Sequence, residues 1–234
     1  MWEWRSFPMQ EFLTKYLPNV MDSLPTLRQS TVETLEMVLI AGGISFVLGL
    51  LLGTLLTTAR PGGILENAPL YQVLDKLINL LRSVPFIILL FCLLPLTRLV
   101  AGTAIGVRGA ILPLVFGTVP FFSRQVEAAL SEVNPGLVEA AQSMGCSNAE
   151  IIFRVYLRES VAGIARGTTI TLISLVSLTA MAGAVGAGGL GNFAYIYGQQ
   201  RNRMDIIYAT VVVLVALVSL IQLIGSAVAK RNTH

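Results

Sequence analysis

Apolar runs without charge alternate along this chain with short polar connections. The run 37–59 reaches just under about 35 Å as a helix, enough to cross roughly 30 Å of hydrocarbon with some tilt. The run 206–229 is a second. A third, 167–200, is too long for one crossing and too short for two with a turn. Its tail, Gly183-Ala-Val-Gly-Ala-Gly-Gly-Leu-Gly191, is glycine-dense, so the pattern predicts a helix over 167–182 and irregular chain beyond it. Two weaker runs, 78–95 with Arg82 and 105–123 with Arg108, complete five predicted spans, each arginine placed where it can snorkel. Residues 1–30 mix Trp2, Trp4, Phe7, Phe12 and Tyr16 with charges, and Pro8, Pro18 and Pro25 interrupt them. They hold no apolar core of signal-peptide length and read as an interfacial segment outside the membrane.

Composition agrees with a polytopic, all-α membrane protein. Hydrophobic residues make up 54% and charged residues 12%, too few charges for an ordinary water-soluble domain. The net charge of +3 is too small and too dispersed for a nucleic-acid footprint. Cys92 and Cys146 lie too far apart to define a disulfide framework.

The chemistry the chain lacks narrows its function. Its one histidine is His234, so neither a histidine-based metal site nor a Ser-His or Cys-His dyad can be built inside it. Lys15, Lys76 and Lys230 follow no glycine, so no phosphate-binding Gly-Lys-Ser/Thr loop exists. Gly186, Gly188 and Gly191 fit G-x-G-x-x-G, but they follow a predicted transmembrane helix and not a strand, and read as a tight helix end. Glu33, Glu36 and Asp205 fall at span ends, and Glu127, Glu132, Glu139, Glu150 and Glu159 in or beside one long loop. With no carboxylate in mid-membrane, the chain can form a pathway but has no group of its own to drive one. It is expected to be no enzyme, to hold no metal or cofactor, and to draw energy from a partner. A membrane-embedded enzyme would need paired polar groups at one depth, which the pattern does not supply.

The longest polar connection, 124–166, carries the local signals. Asn134-Pro135 reads as an N-cap with proline in the first turn, followed by a helix to about Met144. Gly145 stands where a left-handed residue would end it, and Ser147-Asn-Ala-Glu150 is a capping box that starts a second short helix. The predicted apolar side of this knob holds Leu137, Ala140, Ala141, Met144, Ile151 and Ile152. Two readings stay open: a connector lying on lipid or on its own bundle, and a docking element for a soluble partner. On the fourth span, Thr171, Ser174 and Ser177 recur every three residues, as a polar stripe along a pathway or as small residues for helix packing. Gly42, Gly49 and Gly53 share one face of the first span and read as a helix contact, and Tyr195 and Tyr197 as interface anchors. With the amino terminus outside, the inner segments carry slightly more basic residues than the outer ones.

Glu139-Ala-Ala-Gln-Ser-Met-Gly145, nine residues, then Val155-Tyr-Leu-Arg158 resembles the EAA loop of ABC-importer permeases, E-A-A-x-x-x-G-x9-I-x-L-P. Val155 stands for isoleucine, and Arg158 replaces the proline. Leu81-Arg-Ser-Val-Pro-Phe-Ile-Ile-Leu-Leu90, Pro95-Leu-Thr-Arg98 and the glycine run 183–191 resemble the methionine uptake transporter branch of that superfamily, over roughly residues 31–229. The resemblance implies the type I importer permease fold and a homodimer with its pathway at the subunit interface. It also implies two copies of a cytoplasmic ATPase gripping the loop, and an extracytoplasmic binding protein that delivers methionine. Coupling then falls to Glu139, Ala140, Ala141 and Gly145, with Met144, Cys146 and Glu150 beside them and Cys146 a free thiol in a reducing compartment. The loop and the tail 230–234 become cytoplasmic and the amino terminus external, in a bacterial inner membrane. Another amino acid or small peptide as substrate, or an anchor subunit without transport, are the alternatives.

Overall fold

The computed structural model describes residues 18–232. A short helix, α1 (Pro18–Asp22), leads into a long one, α2 (Leu24–Ala59). Residues 24–30 are therefore continuous with the first long helix. Pro25 lies in the first turn, where proline lacks no needed N–H and starts a helix instead of breaking it. The aromatics of residues 1–16 lie outside the described residues. The helix ends where Arg60 turns extended before Pro61 and Gly62 takes φ +75°.

The predicted span 78–95 is two helices. α3 (Ala68–Ser83) and α4 (Phe86–Ala101) meet at 108°. The cause is local: Pro85 forces Val84 out of the helical region, to φ −83° and ψ 123°. α5 (Gly106–Ser131) runs on past Arg124, where the sequence placed a loop. Its charge is absorbed, because the Arg124 guanidinium donates to Glu127 at 2.6 Å, to Asn79 Oδ1 at 2.9 Å and to the Asp75 carboxylate. That network fastens α3 to α5.

Next comes α6 (Pro135–Ser143), then a helical run 148–159, α7, whose middle widens into a π-helix over Ile151–Tyr156. α8 (Val161–Ala182) starts before the predicted 167, because Arg166 stays exposed and reaches toward Glu132 at 3.8 Å. The glycine run is less irregular than expected. A wide turn over Gly183–Ala187 breaks at Val185 and Gly186, and the chain then re-enters helix as α9 (Gly189–Phe193), continuing through Ala194–Gln199. α10 (Met204–Arg231) closes the chain. Among the described residues, α2, α5, α8 and α10 are long and apolar enough to cross a membrane, and the bent pair α3–α4 makes up to a fifth span.

Packing is that of a membrane bundle. The middle core joins Met37 and Ala41 of α2, Leu90 of α4, Leu114 of α5 and Leu175 of α8. At one end, Val20, Phe193 and Ile206 gather α1, α9 and α10. At the other, Phe122, Val126 and Leu130 of α5 meet Val138, Ala141, Ile151 and Tyr156 of α6 and α7. Close approach depends on small residues. A Cβ at Gly49 would lie 2.6 Å from Phe122 Cδ1, and one at Gly53 2.6 Å from both Ser123 O and Val126 Cβ. Of the predicted glycine face, Gly49 and Gly53 thus make the α2–α5 contact, while Gly42 meets Leu172 and Leu175 of α8. Several buried hydroxyls bond within their own helix, although Ser160 Oγ donates across to Ala129 O of α5 at 3.1 Å. Thr57, Ser123, Thr171 and Thr210 each donate to the carbonyl four residues back, at 2.8–3.0 Å, so the interior carries no free donor at these points.

Candidate functional site

The elbow at residues 134–150 is built by local hydrogen bonds. Asn134 Oδ1 accepts from Gly136 N at 2.9 Å and opens α6, with Pro135 in its first turn. α6 closes in a Schellman arrangement: Gly145 N donates to Gln142 O at 3.0 Å and Cys146 N to Ala141 O at 3.1 Å. Gly145 supplies the left-handed residue this requires, at φ +78°. A Cβ there would meet nothing within 4 Å, so the requirement is conformational and not steric. Two residues later the capping box opens α7: Ser147 N donates to Glu150 Oε2 at 3.0 Å and Glu150 N to Ser147 Oγ at 3.3 Å.

The hydrogen bond from the Ser147 backbone, then that from its hydroxyl, and then the charge of Arg154 hold the Glu150 carboxyl below the usual glutamate range. The stability the box contributes is complete above the ordinary glutamate pKa. It is lost as pH falls through the depressed value below it. Glu150→Gln is expected to remove this acid dependence of α7 unfolding, followed by hydrogen exchange at residues 148–151 across acid pH.

Burial divides the knob differently from the sequence pattern. Val138, Ala141, Ile151 and Tyr156 face the bundle. Leu137, Ala140 and Met144, assigned to the same apolar side, are exposed, Met144 at 75%. Helical geometry explains the correction: Leu137, Ala140 and Met144 form an i, i+3, i+7 row, and Val138 and Ala141 lie on the neighbouring row. Glu139 is exposed, and among the described residues its carboxylate has no partner. Cys146 is half-buried against the α5–α7 core, and both cysteines are free thiols. Phe153 is 69% exposed. Its signal was an aromatic inside a polar loop. The knob is therefore anchored on one side, presents Leu137, Ala140 and Met144 along α6, and leaves Phe153 of α7 exposed.

The three hydroxyls of the fourth span differ in burial. Successive steps of three residues rotate around a helix by about −60°, so the three positions spread over about 120° of its surface. Thr171 is buried and back-bonded to Gly167, Ser174 is half-buried, and Ser177 is exposed. Ser177 lines a 580 Å³ groove with Met181, Leu214 and Val215, between α8 and α10.

The far end of the bundle holds a contact that no local pattern announces. Glu33 Oε2 accepts from Gly189 N at 2.7 Å, and Thr34 Oγ1 accepts from Leu190 N at 2.8 Å. Together they cap the start of α9 from 156 residues away. Gly189 has φ +74°, and a Cβ there would lie 2.7 Å from Thr34 Oγ1. Beside it, Asn19 donates through its backbone N–H and its amide to the Asp205 carboxylate at 3.1 Å, pinning α1 to the start of α10. Tyr197 stacks on Phe193, with Arg201 4.7 Å above its ring, and Tyr195 is exposed. Removing the Glu33 acceptor with Glu33→Ala leaves a part-buried N–H unpaired, and is expected to cost about 1–3 kcal/mol. Thermal unfolding measures this, with Glu36→Ala as the comparison.

Residues 45–233 match the family of binding-protein-dependent transport system inner membrane components. The chain is 49% identical over 208 residues to the probable D-methionine transport system permease protein MetI of Vibrio cholerae, covering 89% of this chain and 92% of that one. It is 42% identical over 214 residues to the methionine import system permease protein MetP of Bacillus subtilis, covering 92% and 96%. Its fold is similar to a chain of the MetNI methionine ABC transporter in an inward-facing conformation, with TM-score 0.89, 43% identity, and 91% and 99% of the two chains covered.

Proposed function

Since this chain belongs to the family of binding-protein-dependent transport system inner membrane components, we propose that it is the permease subunit through which such a system imports methionine. The observation that carries the mechanism is the elbow. Two helices are locked at Gly145 by the Schellman bonds and the capping box, and buried against α5 through Val138, Ala141 and Ile151. A knob held this way transmits displacement as a rigid body and does not absorb it.

In this reading two copies of a cytoplasmic ATPase grip the knobs of a permease homodimer. Leu137, Ala140, Met144 and Phe153 fill an apolar cleft on the ATPase, and the unpaired Glu139 meets a basic group there. ATP-driven closure draws the knobs together, turning α5 and α8 about the core and opening the pathway outward. An extracytoplasmic binding protein releases methionine into it. The loop and carboxyl terminus then lie in the cytoplasm and the amino terminus outside, in the inner membrane. Of the three hydroxyls, Ser177 is the pathway candidate, and Met181, Leu214 and Val215 around it suit a thioether side chain. Thr171 and Ser174 serve packing.

The test is uptake by vesicles holding this permease, its ATPase and its binding protein, offered radiolabelled amino acids singly. Methionine is expected to accumulate only with ATP inside the compartment that holds the elbow. Preferential accumulation of another amino acid overturns the substrate, and accumulation without ATP overturns the coupling.

A further inference from the structure

Arg158, which stands where the EAA pattern has proline, takes no part in the elbow's hydrogen bonds. It lines a 690 Å³ cavity at the elbow end of the bundle, with Arg154, Arg166, Glu132 and Glu159 as the other charged groups. Two of the three arginines are engaged, Arg154 with Glu150 at 3.5 Å and Arg166 with Glu132 at 3.8 Å. Among the described residues Arg158 has neither an ion pair nor a hydrogen bond, and it is exposed.

A second hollow adjoins the first. It is a 530 Å³ groove between α2, α8 and α10, walled by Phe46, Leu157, Ile164, Ala165, Ile224 and Val228 among others. Leu157 lines the groove and its neighbour Arg158 the cavity, and Val161 lines both. The two threonines in its wall, Thr168 and Thr169, turn their hydroxyls to Ile164 O and Ala165 O at 2.8 Å, so even they present apolar surface. The volume lies in the usual range of ligand sites, about 300–1,000 Å³.

We propose that this pair of hollows binds an anionic phospholipid, its phosphate on Arg158 and one acyl chain in the groove. The occupant follows from the arrangement. The groove lies between α2, α8 and α10, three helices long and apolar enough to cross a membrane. It offers almost nothing polar along its length, and the unpaired Arg158 lines the cavity beside it. A molecule that is apolar over a chain's length and anionic at one end meets both. The assignment to the inner leaflet rests on the orientation proposed above, and the binding itself does not.

The test is native mass spectrometry of the full-length protein, incubated with equal amounts of palmitoyl-oleoyl phosphatidylglycerol and phosphatidylcholine. Phosphatidylglycerol is expected to be retained about fivefold more, the usual effect of one basic residue near an anionic surface. Arg158→Gln should abolish the preference and Arg158→Lys should keep it, while Ala165→Leu, narrowing the groove, should lower retention of both lipids. The proposal is overturned by equal retention of the two lipids, or by a preference that survives Arg158→Gln. It is equally overturned if inorganic phosphate displaces the lipid at equal concentration, or if Ile224→Cys cross-links efficiently to a second copy, which would make the groove a subunit contact. The measurement needs no transport, so a wrong substrate assignment leaves it standing, and its failure leaves methionine uptake standing.

Discussion

Gly53→Leu is expected to keep the protein from accumulating in the membrane. The first atom added at Gly53 lies 2.6 Å from Ser123 O, a backbone atom inside α5, and 2.6 Å from Val126 Cβ. Neither can rotate away, so relief requires moving α2 off α5. Overpacking of this kind costs about 1–3 kcal/mol, and more where backbone is the obstacle. Total stability is only about 5–15 kcal/mol. The membrane does not repay the separation, because lipid tails replace apolar contacts but not the close fit between helices. Gly53→Ala should be intermediate. Gly43→Leu is the control, since a Cβ at Gly43 meets nothing within 4 Å on the same helix. Membrane abundance and thermal unfolding should place Gly43→Leu with the parent and Gly53→Leu far below. If the two leucine variants behave alike, the α2–α5 crossing is not held by this glycine face.

What could be read from the residues alone was what short-range geometry determines. The N-cap at Asn134, the left-handed Gly145 and the box of Ser147 and Glu150 are all settled within four residues, and each is present in the structure. The Gly49–Gly53 face was legible for the same reason, as one helix's periodicity. Apolar content misled where it covers every face. In a chain that is lipid on one side and protein on the other, hydrophobicity does not tell Val138 and Ala141, which are buried, from Leu137 and Ala140, which are not. The same uniform apolarity hid the break at Pro85, although the proline itself was in view. Charges misled in the opposite sense. Arg124 and Arg166 looked like loop residues, but the first is neutralised from α3 and the second lies at an exposed helix end. The capping of Gly189 and Leu190 by Glu33 and Thr34 was beyond reach, because nothing local links the start of α9 to residues of α2 156 positions away. Arg158 was visible as a departure from the family pattern, but only the adjoining groove gives that departure a meaning.

Gly145→Pro is expected to abolish ATP-driven uptake while leaving an inserted, folded permease. Proline fixes φ near −65°, and Gly145 sits at +78°. It also removes the N–H that donates to Gln142 O, one of the two bonds closing α6. An incompatibility of about 3 kcal/mol lowers the population of the native elbow roughly a hundredfold. The bundle itself should survive, because Gly145 is exposed and its side-chain position touches nothing. Gly145→Ala separates conformation from volume. It can hold the left-handed angle at a cost of about 1–2 kcal/mol, so uptake should fall by about five- to thirtyfold and no further. The readouts are uptake by vesicles with all subunits present, ATPase activity, and cross-linking from Cys146 to the ATPase. Gly145→Pro should lose uptake and cross-linking together while its thermal unfolding stays close to that of the parent. Undiminished uptake by Gly145→Pro would mean that force enters the permease elsewhere, and the knob would be a connector. Labelling of Cys146 by an impermeant reagent from the outer face alone would place the elbow on the wrong side of the membrane for any ATPase to hold.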